Sequence, residues 1–212
     1  MSIMILLEAA CFLIAFITLK REASWAWRGM VIFLLITCIT EITGKFLKSV
    51  YHNNQWVYNI FFLFELGFTS TMFNHIFSKY INSKLLIICS FGLLITLYVY
   101  DIISHGFLVY IDLSATVMAV VFVLYSFYYF YLLIKDDHYV DLKRSAAFWW
   151  VAGVLFYYFG STAVNLFFVY LKNVRMFGHN VTHFIFMALS FILYSCWGYS
   201  FICRKWHTTS NS

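Results

Sequence analysis

The sequence predicts an all-α fold: a polytopic membrane bundle of seven transmembrane helices, with its N-terminus outside and its C-terminus cytoplasmic. Three observations predict it. The chain of 212 residues is 63% hydrophobic and only 11% charged, with a mean hydropathy of +0.83. Ordinary globular domains are about 45–50% apolar and about 25% charged. The apolar excess recurs along the whole length in runs of about 18–25 residues, each long enough for a helix to cross about 30 Å of hydrocarbon. Lys and Arg collect at the ends of these runs, unequally on the two sides.

The runs cover residues 2–19, 27–45, 55–75, 85–103, 112–135, 146–171 and 178–203. They make a single transmembrane domain, 1–203, and 204–212 is a short cytoplasmic tail. The first run carries Glu8 and is followed by Lys20 and Arg21, the reverse of the charge order in a cleaved signal peptide. The second aligns Thr37, Glu41, Gly44 and Lys48 on one helical face. The third has Glu65 near its middle, with Tyr58 and Thr69 on the same face. An ionised carboxylate there costs roughly 2.5–3.5 kcal/mol to insert, so it faces protein and has a partner or a task. The fourth adds a crossing. The fifth opens on Asp112, which reads as a helix N-cap. The sixth aligns Tyr158, Thr162 and Asn165, and the seventh His179, His183, Ser190, Tyr194 and Trp197.

Orientation follows from the 14 basic residues. Ten lie on one side: Lys20, Arg21, Arg28, Lys79, Lys84, Lys135, Lys143, Arg144, Arg204 and Lys205. Four lie on the other: Lys45, Lys48, Lys172 and Arg175. The side with ten is cytoplasmic by the positive-inside rule. Tryptophans 25, 27, 149, 150 and 206 gather near that side, and Trp56 near the other, as an aromatic belt requires. The net charge of +5 is spread over run ends and forms no groove-sized basic patch, which excludes nucleic acid as a partner. The five cysteines form no C-x-x-C pair and read as small buried hydrophobes.

With this orientation the polar residues share a depth. Glu8, Glu41, Asn59, Glu65, Asn165, His179 and His183 all fall in the outer half. If the polar faces converge, Glu41, Tyr58, Asn59, Glu65, Asn165 and His183 line one outer pocket. Each has a plainer reading. Glu41 can pair with Lys45 one turn away. Asn59 and Asn165 can be polar glue between helices, at about 0.6 kcal/mol each. Asp112 can cap its helix, and Glu8 can reach surface water.

His179-x-x-x-His183 puts two imidazoles on one face of a helix, the spacing of paired metal ligands, and Glu41 or Glu65 could complete a zinc set. In this motif the chain is similar to the alkaline ceramidase and adiponectin-receptor superfamily of membrane hydrolases. That family implies zinc, but it also needs a histidine on the second helix, and none is present here. Retinal is excluded, because the last run has no lysine at mid-helix. Trp56-x-Tyr58-Asn59-x5-Glu65, with Glu41 in the second run, resembles small seven-helix membrane proteins of Bacteroidetes-type bacteria. That likeness implies no activity. The Ile/Phe/Lys/Asn/Tyr-rich composition fits an AT-rich bacterial source, and the expected location is the inner (cytoplasmic) membrane.

The leading functional expectation is a membrane sensor or ligand-binding protein. Its outer pocket takes a small polar or cationic ligand, it needs no cofactor, and it signals to a protein partner at the cytoplasmic face. The alternative is a zinc-dependent intramembrane hydrolase using His179 and His183. The third is a cation- or proton-coupled transporter with Glu41 and Glu65 as relays. The absence of proline, the 9 glycines and the lack of an internal repeat count against the third. The sequence leaves open whether the protein is an enzyme.

Overall fold

The computed structural model describes residues 3–20, 22–136, 141–171, 173–176 and 178–210. Arg21 and Lys172, two of the basic residues used for orientation, lie outside them. The elements are helices α1 (Ile3–Leu19), α2 (Trp25–Tyr51), α3 (Gln55–Phe77), α4 (Lys84–His105), α5 (Asp112–Lys135), α6 (Ala146–Leu166), the single turn α7 (Phe168–Leu171) and α8 (Val181–Ser210). Strands β1 (Arg175–Met176) and β2 (His179–Asn180) pair antiparallel and are the only β structure among the described residues.

Six helices, α2 to α6 and α8, are long and apolar enough to cross a membrane. The chain is an all-α multi-pass membrane protein. Its outward-facing surface agrees: Ile134, Ile103 and Leu85 are exposed, while Asn59 and Asp101 are buried. That is the reverse of a water-soluble pattern, and it suits a hydrocarbon solvent. α1 is apolar but shorter, 17 residues, or about 26 Å at 1.5 Å per residue.

The helix ends are set by local chemistry, since no proline is available to stop them. α2 runs to Tyr51, six residues past the expected end at 45, and stops where His52 turns left-handed (φ 56°). α4 ends at Gly106 (φ 84°), a conformation glycine adopts without strain. α6 begins at Ser145, whose hydroxyl accepts from Phe148 N at 3.3 Å, an N-cap bond. α6 breaks at Phe167 instead of running to 171. α8 starts at Val181, not 178, and continues through Ser210 into the expected tail.

The chain divides into two compact units. The middle unit is Lys20–Met118 and the terminal unit is Met1–Leu19 with Ala119–Ser212. In the middle unit α2 packs on α3 through rings: Phe33 stacks on Phe68 at 4.6 Å and on Phe64 at 5.6 Å. α3 meets α4 where Phe62 stacks on Tyr98 at 5.5 Å. In the terminal unit α6 and α8 approach closely over Gly153. A Cβ there would lie 3.0 Å from Cys196 Cβ and 3.3 Å from the Leu193 carbonyl. Trp150 and Trp197 stack at 5.9 Å and 3° from parallel, and Trp197 Nε1 donates to the Trp150 carbonyl at 3.3 Å. α1 turns Glu8, Cys11, Ala15 and Leu19 inward at helical spacing.

Candidate functional site

One set of polar groups in the middle unit collects at the end that holds the α2–α3 and α4–α5 connections. The first connection, residues 52–54, is built by asparagines. Asn53 Oδ1 accepts from Gln55 N at 3.0 Å and opens α3, while Asn54 Nδ2 donates to the Gly44 carbonyl at 3.0 Å. This draws the end of α3 onto α2 at Gly44. A side chain at 44 is impossible without movement, because its Cβ would lie 2.7 Å from the Tyr58 hydroxyl. Glycine there lets Tyr58 lie across α2 and donate its hydroxyl to the Glu41 carboxylate. Lys45, one turn on, adds its charge to the same carboxylate. The plain partner expected of Glu41 from its own helix, Lys45, is thus present, and Tyr58 joins it from the next helix.

Residues 106–111 leave helical geometry at Gly106, so their carbonyls lose helical partners and need donors. Asn59 supplies them. Its side chain is fully buried and its Nδ2 donates to the Phe107 carbonyl at 2.9 Å and the Val109 carbonyl at 2.8 Å. Asn53 Nδ2 takes the Leu108 carbonyl between them at 3.2 Å. Tyr98 donates to the Asn59 carbonyl at 3.3 Å. Asn59 is therefore the clamp of this connection. It is placed by the sequence motif but turned to backbone rather than to Glu41.

The clamp fixes Tyr110. Part of this residue is exposed (38%), yet its hydroxyl is enclosed and its phenol is pushed up to about 12. Burial is the largest cause, followed by the negative charges of Glu65 and Asp112 and by Tyr58. Tyr110 thus stands within electrostatic reach of Glu65 and of Tyr58, and Tyr58 bonds Glu41. Two carboxylates and two phenols from α2, α3 and the 106–111 connection make one electrostatic group. Glu41 and Glu65 are both half-buried, with surface left for a ligand. Such a group attracts cations and amines, by charge and through the faces of the tyrosine rings.

Asp101, on α4, was not singled out in the sequence. It is 2% exposed and accepts from Ser114 N at 2.8 Å and Ser114 Oγ at 2.6 Å. An acid on α4 thereby caps the first turn of α5. His105 Nδ1 lies 3.9 Å from its other oxygen. Asp112, expected as the cap, is instead the first residue of α5, where its charge still suits the helix dipole.

The other expected site residues belong to the terminal unit. Asn165 lies in the last turn of α6 and His183 in the first turn of α8, and both are exposed. The helical spacing assumed for His179-x-x-x-His183 does not hold, because His179 is in β2, before α8 begins. The pair does not share a helix face, and the His179 side chain lies outside the described residues. Among the described residues no group of three or more His, Cys, Asp or Glu is placed to hold a metal.

The terminal unit has its own acid. Glu8 on α1 is 6% exposed and accepts from the Tyr194 hydroxyl on α8 at 3.2 Å, with Tyr157 and Cys11 in electrostatic reach of that hydroxyl. The rest of the α8 stripe is spent on packing: Ser190 and Trp197 are buried and Tyr194 serves Glu8.

Tyr110 and Asp101 are the residues that sequence reading missed. The Asn-rich run His52–Asn54 with Asn59 was the available signal, since clustered amides at a connection imply backbone carbonyls to satisfy. Compared with known proteins, the chain matches no family model, no curated protein and no solved structure.

Proposed function

We propose that this protein is a seven-helix membrane sensor or ligand-binding protein whose site is the group formed by Glu41, Tyr58, Glu65 and Tyr110. α1 supplies the seventh crossing. The ten-to-four division of basic residues supports an outside N-terminus and a cytoplasmic C-terminus. That orientation puts the site in the outer half of the membrane, and the membrane is the inner one of a bacterium. The ligand is a small cation, of which an organic amine fits best, because phenol faces stand beside the carboxylates. Binding there biases α2 against α3, and a protein partner at the cytoplasmic face reads the change.

What supports this reading is that Tyr58 bonds the half-buried Glu41 from the next helix, while Tyr110 from another segment stands within electrostatic reach of the half-buried Glu65. Tyr58 reaches Glu41 across Gly44, and Tyr110 is brought to Glu65 by the Asn59 clamp. A pair serving stability alone has no need of exposed surface at both acids.

The test is the thermal midpoint of the purified protein titrated with tetramethylammonium chloride, against sodium chloride at equal ionic strength. The wild type is expected to be stabilised by the amine, and Glu65→Gln to lose the response while keeping its midpoint in sodium chloride. An equal response in Glu65→Gln and the wild type overturns the reading.

A further inference from the structure

The opposite end of the middle unit holds a second polar feature, independent of the acids. There α3 turns into α4 through residues 78–83, and a cavity of 440 Å³ opens at the turn. This is within the roughly 300–1,000 Å³ of small-molecule sites. All its lining residues but Ile81 carry polar side chains, Lys79 and Lys84 among them, and no acidic residue lines it. Ser83 precedes α4 but does not cap it: its hydroxyl donates to Asn74 Oδ1 at 2.9 Å, inside the turn. Two lysines therefore border one cavity with hydroxyls, amides and the start of a helix, which is a lining that suits an anion.

Position says which anion. The turn joins two helices that cross the membrane, so it lies at the level of lipid headgroups whichever face is cytoplasmic. Immediately beyond Lys84, α4 presents Leu85 and Ile88 outward, 74% and 67% exposed. An acyl chain would run along that surface while its headgroup occupied the cavity. Basic pockets at membrane-helix ends hold phosphate headgroups by the same physics. We propose that this cavity binds the phosphate of an anionic phospholipid, with Lys79 and Lys84 as its charged contacts.

The whole protein is reconstituted in nanodiscs of phosphatidylcholine, with and without phosphatidylglycerol, and its thermal midpoint is measured. Phosphatidylglycerol is expected to raise the wild-type midpoint by roughly 3–5 °C, the shift of a ligand at about ten times its dissociation constant on a chain of this size. Lys79→Gln/Lys84→Gln is expected to lose the rise while matching the wild-type midpoint in phosphatidylcholine alone. Lys48→Gln, at the other end of the unit, is expected to keep it. Inorganic phosphate added to the phosphatidylcholine discs separates the sources. No shift assigns the site to lipid, and a shift lost in the double variant assigns it to free phosphate. The proposal is overturned if the double variant keeps the full rise, or if Lys48→Gln loses as much of it. Should the double variant lack a folding transition, Lys84→Gln alone is read by the same criteria.

Discussion

The two units treat buried polar atoms differently. In the terminal unit α6 and α8 meet over Gly153, and the polar side chains at the contact donate to backbone. Trp197 bonds the Trp150 carbonyl and Ser200 the Ala146 carbonyl at 2.8 Å. Its acid, Glu8, is closed in with Tyr194. In the middle unit the buried Asn59 and Asp101 also serve backbone, but Glu41 and Glu65 stay half-open, Glu41 bonded by the Tyr58 phenol and Glu65 within electrostatic reach of Tyr110. A polar residue in a membrane helix is therefore not by itself a sign of a site. What separates a site from glue is whether its partners are backbone groups already satisfied, or side chains with surface left over.

The comparison breaks most readily at Gly153. Gly153→Leu places a branched side chain against Cys196 and the Leu193 carbonyl, where neither neighbour can withdraw far. The expected loss is about 3 kcal/mol, or about 6–12 °C in thermal midpoint. The amine response of the middle unit should persist below that midpoint. A variant as stable as the wild type would show that α6 and α8 do not pack as tightly as Gly153 implies.

Next in size is the clamp. Asn59→Leu leaves the Phe107 and Val109 carbonyls without their donor, at an expected cost of about 2 kcal/mol. Amide exchange should quicken over 106–111 before it changes in α6 or α8. Uniform loss of protection through the chain would mean that Asn59 holds the whole fold rather than one connection. Tyr58→Phe should cost less, about 1 kcal/mol, because the bond it removes is only half-buried. Its larger effect should fall on the amine titration. The same substitution at Tyr194, beside the closed Glu8, should leave that titration unchanged.

Much of this contrast was legible in the residues, for reasons that also mark where legibility stops. Hydropathy located the crossings, with α3 and α5 starting at the expected residues 55 and 112, because bilayer thickness dictates length. Tyr58 and Glu65 could be aligned on α3, and Glu41 with Gly44 on α2, because helical spacing fixes which side chains of one helix share a face; that the two faces meet was an assumption. His179 shows the limit: the helical spacing was extended past the point where the backbone turns into β2, and the inferred face vanished with it. Asp101 near the end of α4 carries no signal in its own sequence neighbourhood, and only the start of α5 folding against it reveals a cap. Tyr110 lies in a connection without periodicity, so nothing in its neighbours links it to a residue 45 positions earlier, Glu65.

The smallest expected effect tests that link directly. The Tyr110 phenol is pushed up to about 12, against about 10 for a free tyrosine. Between those values the unfolded chain loses the proton and the folded chain keeps it, so the folded state binds more protons and stability falls as pH rises. The contribution is complete below about pH 10 and is gone above about pH 12. Because 38% of Tyr110 is exposed, solvent screens part of it, and the decline should be shallow. Tyr110→Phe has no proton to lose and should flatten this part of the midpoint profile between pH 10 and 12. Glu65→Gln should ease the ionisation by removing one of the negative charges that oppose it, so that absorbance at the phenolate band appears at lower pH. If Glu65→Gln leaves the phenolate titration where it was, Glu65 and Tyr110 do not act as one group, and the middle unit's acids are as separate from its connections as Glu8 is.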